Sequence, residues 1–316
     1  MNWSQRKVLV TGGAGFIGSH LVQRLLSLGA DLRVLDNLST GLRSNLDLFV
    51  DHIEFLEGDI RNRELCSQAT EDCEFVFHQA ALGSVPRSIA SPVETVEVNV
   101  QGTTTLFAAA AASSVGQVIY ASSSSVYGDS TASPKVEGQE GSPLSPYAAS
   151  KAAVESVAAG FANCFDTRFV GLRYFNVYGP RQSQEGPYAA VIPRFINAAI
   201  GNEPLVVFGD GEQTRDFTYV DDVVQANLLA AAVEATEAIS NVSSGKATSV
   251  LGLAQEILAS TGSASQILHD PPRKGDVRHS LASLEQAKNL LGYHPQCTLK
   301  TGLAATLEHA SSRSLA

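Results

Sequence analysis

Tyr147 and Lys151, four positions apart, are the pair in this chain best suited to move protons. They lie in an alanine-rich segment, and residues four apart on a helix share one face. A free tyrosine titrates at about pH 10 and is a poor base at neutral pH, but a nearby positive charge favours its phenolate. Such a tyrosine can take a proton from a hydroxyl group while a hydride leaves the same carbon. Because this spacing also occurs by chance on helix surfaces, its meaning depends on the segments around it.

A serine-rich segment, residues 121–127, is the expected partner of this pair. It directly follows an apolar run, residues 117–122, that is typical of a buried strand. Parallel sheets bind ligands at the C-terminal ends of their strands, so a serine hydroxyl there can hydrogen-bond a reacting oxygen. The alternative, a flexible serine-rich linker, is disfavoured because the strand lies immediately before it.

A glycine-rich turn near the N-terminus has the spacing of a dinucleotide-binding fingerprint. Gly12, Gly15 and Gly18 follow a short apolar run, Lys7–Thr11, and precede an apolar pattern of helical period. In that strand–turn–helix context the backbone turns tightly and approaches a pyrophosphate, whose charge lies at the helix N-terminus. The sequence therefore predicts a dinucleotide cofactor, with Tyr147 and Lys151 at its reactive end.

Asp36 ends the second predicted strand, about 20 residues after the turn, where such folds place a ribose ligand. A carboxylate there accepts a hydrogen bond from a 2′-hydroxyl and repels a 2′-phosphate, which favours NAD over NADP. Arg33 and Arg43 keep NADP as the alternative. Asp59 follows the third predicted strand, and we expect it either to face the adenine or to cap the next helix.

Strands and helices alternate through the first half of the chain, which is typical of βαβ units and a parallel sheet. We predict an α/β fold: a Rossmann-type doubly wound parallel sheet with a smaller, mostly C-terminal α/β substrate lobe. The predicted strands are 7–11, 31–36, 53–59, 74–81, 117–122 and 168–174. The predicted NAD-binding domain is 1–175, with 216–235 packing back onto it, and the substrate lobe comprises 176–215 and 236–316.

Two helices outside the glycine turn are also predicted. One runs over residues 93–112 and is rich in alanine. The other begins at Asp221 or Asp222, which we expect to act as its N-cap, and runs to Val233.

The bulk composition excludes several classes of protein. A net charge of −10 over 316 residues argues against a general nucleic-acid or membrane-surface partner. The four cysteines show neither metal-ligand spacing nor a CxxC pair, so we expect reduced thiols and no metal site. The chain contains neither a signal-peptide pattern nor an apolar stretch of the ~20 residues that a membrane span needs. A cytoplasmic location is expected by elimination.

Over nearly its full length the chain resembles the extended short-chain dehydrogenase/reductases and, within them, the nucleotide-sugar 4-epimerases. The matching segments are TGGAGFIG (11–18), HQAA (78–81), the serine run, SPYAASK (145–151), RYFNVYG (173–179), GDGEQTRDF (209–217) and RKGD (273–276). The resemblance implies Ser123, Tyr147 and Lys151 as the catalytic set. It also implies that the nucleotide diphosphate and its ribose are contacted by Asn176, Arg215, Arg273 and Asp276.

The family's pattern extends the predicted site at both ends. The predicted cofactor-binding residues are Gly12, Gly15, Phe16, Ile17, Gly18, Asp36, Asn37, Ser39, Thr40, Gly41, Asp59, Ile60, Gln79, Ala80, Ala81, Asn99, Ser122, Tyr147, Lys151, Tyr174 and Val177. The predicted substrate-binding residues are Gly83, Ser84, Ser123, Ser124, Ser125, Asn176, Val191, Arg215, Arg273, Asp276 and Ser280. The resemblance further implies a homodimer formed through the helices at 93–112 and 147–164; the alternative is that these helices only cover the sheet.

Related enzymes that remove water or a carboxylate carry an acid within the serine segment, where this chain has Ser124 and Ser125. The resemblance therefore implies epimerisation. Tyr147 removes the proton of the C4 hydroxyl, and hydride passes to NAD. The 4-keto sugar then turns about its diphosphate link, and the hydride returns to its opposite face.

The identity of the sugar depends on Ser280, where glucose-restricted relatives carry a tyrosine. A serine leaves room for an acetamido group, so we expect interconversion of UDP-GlcNAc and UDP-GalNAc, with UDP-glucose and UDP-galactose as further substrates. The first alternative is a UDP-glucuronate 4-epimerase, in which Arg87 or Arg181 would meet the carboxylate. The second, from another class, is a non-catalytic nucleotide-binding sensor on the same fold.

Overall fold

A computed structural model of the chain describes residues 1–183, 190–272 and 278–314, the side chains of 312–314 excepted. The strands are β1 (Lys7–Thr11), β2 (Asp31–Asp36), β3 (Ile53–Glu57), β4 (Phe75–His78), β5 (Gln117–Ser123), β6 (Arg168–Tyr174), β7 (Val177–Tyr178), β8 (Leu205–Phe208), β9 (Thr214–Asp216), β10 (Thr218–Tyr219), β11 (Glu237–Val242), β12 (Ala247–Ser249) and β13 (Ile267–Asp270). The helices are α1 (Phe16–Ser27), α2 (Arg63–Thr70), α3 (Val85–Ala90), α4 (Pro92–Val96), α5 (Thr103–Ala112), α6 (Pro146–Ala162), α7 (Val191–Ile200), α8 (Val220–Ala230), α9 (Val250–Thr261), α10 (Glu285–Leu291) and α11 (Leu299–Ser314). A π-helical turn, Glu97–Gly102, joins α4 to α5.

Seven parallel strands form one sheet in the order β11-β6-β5-β4-β1-β2-β3. Side chains alternate between the two faces of a strand, so β1 contributes to both layers. Val8 and Val10 pack with α1, α8 and α10 on one face, whereas Leu9 packs with α2, α5 and α6 on the other. The sheet is therefore covered by helices on both faces, and the predicted Rossmann-type doubly wound fold is confirmed.

A second apolar core lies outside the large sheet and is built from α7, β8, α9 and α11. Phe195, Leu205, Leu253 and Leu303 are buried together there. Two short strand pairs border it: β13 lies parallel to β8, and β12 lies antiparallel to β9. Among the described residues, no helix combines the length and the apolar character that crossing a membrane requires.

The structure differs from the predicted lobe boundary at Glu237–Val242. We expected this segment in the second lobe, but it pairs along its full length with β6 as the last strand of the large sheet. Ala287 and Leu291 of α10 also pack into the core on the α1 face of the sheet. The short β11 lies in a region without a regular βα rhythm, so its place in the sheet comes from tertiary pairing rather than from a local pattern.

The start of α8 also differs from the prediction. The helix begins at Val220 with Tyr219 at the N-cap, so neither aspartate takes the capping position. Asp222 lies in the first turn instead and accepts hydrogen bonds from the backbone N–H groups of Gln296 (2.8 Å) and Cys297 (3.1 Å). The carboxylate therefore ties α8 to the segment that leads into α11.

Candidate active site

The glycine turn is packed so tightly that side chains cannot be added to it. Gly12 has a left-handed φ of +68°, and a Cβ there would lie 2.6 Å from the backbone nitrogen of Ala80. A Cβ on Gly18 would lie 2.1 Å from the carbonyl oxygen of Gly12. The N-cap of α1 is Gly15, and no described side chain caps the first turn. Its amide groups are therefore available to an anionic group, as a dinucleotide pyrophosphate requires.

A cavity of about 480 Å³ connects this turn with the Tyr147–Lys151 pair. It brings together most of the predicted site residues: Gly12, Gly15, Phe16, Ile17, Gly18, Asp36, Asn37, Ser39, Thr40, Asp59, Ile60, Gln79, Ala80, Ala81, Gly83, Ser122, Ser123, Ser124, Tyr147, Lys151, Tyr174, Asn176 and Val177. The part of its wall that the structure describes does not include Gly41, Ser84, Asn99, Ser125, Val191, Arg215 or Ser280. The predicted Arg273 and Asp276 lie outside the described residues.

Asp36 lines the cavity and is held by a backbone group of the glycine turn. Its Oδ2 accepts a hydrogen bond from the backbone N–H of Ala14 (2.9 Å), and its Oδ1 accepts one from Leu38 (2.8 Å). Burial raises the pKa of this carboxyl above its ordinary value, and the two backbone hydrogen bonds oppose that shift. Each oxygen keeps a further lone pair for a ribose hydroxyl, so the residue fits its predicted role.

Asp59 belongs to the cavity rather than to a helix cap. It accepts a hydrogen bond from the side chain of Asn37 (2.9 Å), and its pairing with Arg61 lowers its pKa. The N-cap of α2 is Asn62, whose side chain accepts from the backbone N–H of Leu65. The expectation that Asp59 caps the next helix is therefore wrong, and its role toward the adenine stays a prediction.

The two arginines that kept NADP as an alternative are both engaged elsewhere. Arg33 is buried and bonds to Glu54 (2.8 Å) and to the carbonyl oxygens of Gln68 and Ala69. Arg43 pairs with Glu57 (3.1 Å) and stacks over a phenylalanine ring. Both guanidinium groups are paired with carboxylates, and neither arginine is among the described residues that line the cavity.

Asn99 acts behind the cavity, in the π-helical turn that interrupts the helix predicted over 93–112. Its Oδ1 accepts a hydrogen bond from the backbone N–H of Leu82 (2.8 Å). Its Nδ2 donates to the carbonyl oxygen of Leu82 (3.2 Å) and to the hydroxyl of Ser150 (3.0 Å). The side chain thus holds the loop after β4 against α6, next to Lys151.

Asn227 on α8 is a site residue that the sequence analysis missed. It is fully buried, and its side chain bonds to the hydroxyl of Tyr174 (2.8 Å) and to the amide of Gln79 (3.1 Å). Both partners line the cavity. An asparagine inside the apolar pattern of α8 was the available signal, because a buried amide needs partners.

The reactive end is assembled from β5 and α6. Ser145 caps α6 by accepting from the backbone N–H of Ala148 (3.1 Å), which fixes the first turn and Tyr147 within it. Lys151 is 5% exposed, and its Nζ donates to the carbonyl oxygen of Ala121 (2.8 Å) on β5. Burial lowers the pKa of Lys151 to about 8, and the negative charge of Glu155 opposes this shift.

The pKa of Tyr147 departs from the expectation drawn from the sequence. Burial raises it above the ordinary value, and hydrogen bonding to Ser123 only partly offsets that rise. The protein groups alone therefore keep Tyr147 protonated at neutral pH. The expected phenolate depends on positive charge brought next to it, because Lys151 is directed to Ala121.

Some of the residues predicted to bind the sugar and the diphosphate line the cavity, and others lie outside its described wall. Asn176 and Ser124 line the cavity, and Asn176, with a φ of +31°, donates to the carbonyl oxygen of Asp216 (3.1 Å). The Ser125 hydroxyl is buried and has no hydrogen-bond partner among the described residues. Ser84 caps α3 through the backbone N–H of Arg87 (3.2 Å).

The remaining predicted contacts lie along β9 and at the start of α7, away from the described wall of the cavity. Arg215 donates to the carbonyl oxygen of Thr214 (2.8 Å), and the backbone N–H of Ser280 donates to the same oxygen (3.1 Å). Val191 is the first residue of α7. Their roles in substrate binding stay predictions.

A doubly wound sheet, a glycine turn at its first helix and a Tyr-x-x-x-Lys pair at the end of the same cavity define an extended short-chain dehydrogenase/reductase. The chain belongs to the NAD dependent epimerase/dehydratase family, whose model matches residues 8–243. It is an enzyme of that family, and NAD is its cofactor. The glycine cradle and Asp36 are the features of this chain that fit NAD.

Similar proteins are found in bacteria and archaea. A UDP-glucose 4-epimerase of Mycolicibacterium smegmatis is 39% identical over 312 residues, covering 98% of this chain and 99% of the relative. The structure of a UDP-glucose 4-epimerase with UDP-glucose from Thermotoga maritima is 37% identical, with a TM-score of 0.93 and coverage of 98% and 99%. A UDP-N-acetylglucosamine 4-epimerase of Methanobrevibacter ruminantium, in complex with UDP-N-acetylmuramic acid, is 36% identical, with a TM-score of 0.94 and the same coverage.

Proposed function

We propose that this protein interconverts the C4 epimers of a UDP-linked hexose, with UDP-GlcNAc and UDP-GalNAc as the main pair and UDP-glucose and UDP-galactose as further substrates. The observation that carries the proposal is one cavity lined both by the glycine turn and by Ser123, Tyr147 and Lys151. The similar 4-epimerases of UDP-glucose and UDP-N-acetylglucosamine support a UDP-sugar as the substrate class.

In the proposed mechanism the chain's own residues transfer the proton of the C4 hydroxyl and orient that hydroxyl for reaction. When bound, NAD supplies the reversible hydride chemistry. Tyr147 accepts the proton of the C4 hydroxyl as the sugar is oxidised, and Ser123 hydrogen-bonds the same oxygen. The 4-keto sugar turns about its diphosphate link and presents its other face, after which Tyr147 returns the proton. Lys151, one helical turn away and directed to Ala121, would add to the positive charge that bound NAD brings next to Tyr147, and this charge favours the phenolate form.

The serine segment favours epimerisation over the removal of water. Ser124 lines the cavity within the segment where related dehydratases and decarboxylases carry an acid, and Ser125 is a neutral residue beside it. A neutral hydroxyl is a poor proton donor to a leaving group. C4 epimerisation needs no such donor, because no bond between carbon and oxygen breaks.

The direct test incubates the purified protein separately with UDP-GlcNAc, UDP-glucose and UDP-glucuronate, without added NAD, and resolves the C4 epimers by NMR. The proposal expects UDP-GalNAc from UDP-GlcNAc without net NADH. Turnover of UDP-glucuronate alone would replace it with the glucuronate 4-epimerase. No epimer from any sugar, even with NAD supplied, would favour the non-catalytic sensor.

Ser280→Tyr should change the choice of sugar. If Ser280 leaves room for the acetamido group, a tyrosine ring there overpacks the site by about 1–3 kcal/mol. We expect kcat/KM for UDP-GlcNAc to fall about 10- to 100-fold relative to UDP-glucose. Ser280→Ala, which adds no bulk, is the matched control and should leave the ratio unchanged. An unchanged ratio in Ser280→Tyr would refute the assignment of Ser280 as the gate.

We also propose that the protein is a homodimer joined through the helices at 93–112 and 147–164. Val93, at the start of the first of these segments, is 69% exposed, and Ile89 on the preceding helix α3 is 66% exposed. Ala109 and Ala110, in contrast, are buried in the core next to the sheet. That part of the helix therefore covers the sheet and is not available to a partner subunit. Val93→Asp should convert the dimer to a monomer in light scattering, whereas Leu268→Asp, at an exposed site of the other lobe, should not. A wild-type monomer would remove this proposal.

A further inference from the structure

A third polar residue continues the face of α6 that carries Tyr147 and Lys151. Glu155 lies one helical turn beyond Lys151, so the three residues recur at every fourth position and share one side of the helix. Although it is a carboxylate, Glu155 is 9% exposed. Carboxylates are seldom buried to this extent unless they are paired.

Glu155 is held by both neighbouring strands. Its Oε1 accepts hydrogen bonds from the hydroxyl of Ser122 on β5 (2.5 Å) and from Nε of Arg173 on β6 (2.9 Å). Its Oε2 accepts from Nη2 of Arg173 (2.7 Å). The remaining Nη1 of Arg173 donates to Glu140. The carboxylate therefore keeps a two-point ion pair and one hydroxyl contact at a largely buried site.

The contact with Ser122 distinguishes this cluster from an ordinary buried ion pair. Lys151 donates to the carbonyl oxygen of Ala121, and Glu155 accepts from the side chain of the next residue on β5. These two hydrogen bonds, made by residues one helical turn apart, fix the position of α6 along the direction of β5. Ser123 is the following residue of that strand, and Tyr147 lies one turn before Lys151 on the helix. The spacing of Tyr147 and Ser123 thus depends on both attachments.

Glu155 is also the negatively charged group that interacts electrostatically with the ammonium group of Lys151. Burial lowers the pKa of Lys151, and Glu155 acts in the opposite direction. The other groups that act on this pair are His78 on β4, Tyr120 on β5, Arg173 on β6 and Glu237 on β11. Burial holds the pKa of His78 at about 3 and raises that of Tyr120, so both stay neutral around pH 7.

We propose that Glu155 is a positioning residue for the Tyr147–Lys151 pair: its carboxylate, bonded to Ser122, sets the register of α6 on β5 and places a negative charge one helical turn from Lys151. Arg173, neutralised on its far side by Glu140, keeps Glu155 in place. The measurements of turnover depend on the proposed 4-epimerase function. The protonation of Lys151 can be followed without any substrate.

The test compares Glu155→Gln with Glu140→Gln. Both variants remove one carboxylate from Arg173, but only Glu155 contacts β5 and acts on Lys151. Trace labelling of the NAD-free protein with acetic anhydride, followed by mass spectrometry of the Lys151 peptide, gives the pH at which the amine loses its proton. We expect a midpoint near the pKa of about 8 in the wild type and in Glu140→Gln. In Glu155→Gln the midpoint should lie about one pH unit or more lower.

The pH profile of kcat/KM for UDP-GlcNAc provides the second measurement. Its decline at high pH should begin about one unit earlier in Glu155→Gln, and Glu155→Asp, which keeps the charge, should restore the wild-type profile. If Glu155→Gln does not fold, the double variant Glu155→Gln with Arg173→Gln, which leaves no unpaired arginine, carries the same labelling experiment.

The outcomes separate this inference from the proposed function. A shifted labelling midpoint in a protein that epimerises no sugar would leave the role of Glu155 intact and remove the 4-epimerase proposal. Normal turnover with an unmoved midpoint and an unmoved pH profile in Glu155→Gln would overturn the inference. A shift of equal size in Glu140→Gln would also overturn it, because the effect would then belong to Arg173.

Discussion

Tyr147→Phe should lower kcat for the epimerisation of UDP-GlcNAc by about 10²- to 10⁴-fold, the usual contribution of a positioned acid–base group. The variant loses only the phenolic hydroxyl, which forms a hydrogen bond with Ser123 in the native protein. The glycine turn and Asp36 are untouched, so NAD affinity should stay within about threefold of the wild type. The measurement is single-turnover epimerisation by NMR together with a fluorescence titration of NAD.

Tyr120→Phe is the matched control for that prediction. Tyr120 lies on β5, fully buried, and its hydroxyl has no hydrogen-bond partner among the described residues. Removing an unsatisfied buried hydroxyl should leave kcat unchanged and stability equal or higher. If Tyr147→Phe kept wild-type turnover, Tyr147 would not be the proton acceptor, and the mechanism proposed here would fail.

Gly18→Ala should destabilise the protein by about 3 kcal/mol and weaken NAD binding at least tenfold, at about 1.4 kcal/mol per factor of ten. The added Cβ would lie 2.1 Å from the carbonyl oxygen of Gly12 and 2.8 Å from Cα of Gly13. These are backbone atoms, so relief requires the whole turn to move. Thermal unfolding and NAD titration measure the two effects.

The control for this substitution is Gly160→Ala in α6. No heavy atom of the described residues lies within 4 Å of the Cβ that the change would add. Alanine is favoured over glycine in a helix by about 1 kcal/mol, so this variant should be slightly more stable. Wild-type NAD affinity in Gly18→Ala would mean that the turn tolerates a side chain and that its glycines are not needed for close approach.

The elements that the sequence predicts best are the buried parallel strands. The predicted bounds of β1, β2 and β6 agree with the structure residue for residue. Each strand is a nearly continuous apolar run that ends at a polar residue or a turn, because both of its faces are covered by helices. Where burial alone determines that a segment forms a strand, the local sequence is enough to predict the bounds of that strand.

The features that escaped prediction depend on distant partners. The π-helical turn around Asn99 lies within an otherwise continuous helical stretch, and the side chain of Asn99 bonds to Leu82 and Ser150. Asn227 lies 148 residues from Gln79, which it orients. Neither a hydrophobic period nor a motif encodes such a pairing.

The placement of β11 has a consequence for how the chain is made. The large sheet is complete only when Glu237–Val242 has joined β6, although β6 itself ends at Tyr174. A chain growing from its N-terminus on the ribosome therefore carries a six-stranded sheet whose edge, β6, has unpaired backbone groups until the later strand emerges. Open edges of this kind invite pairing with other chains. In this protein four short strands of other sheets, β7 to β10, lie between β6 and the next strand of the large sheet, so β6 stays an open edge while they are synthesised.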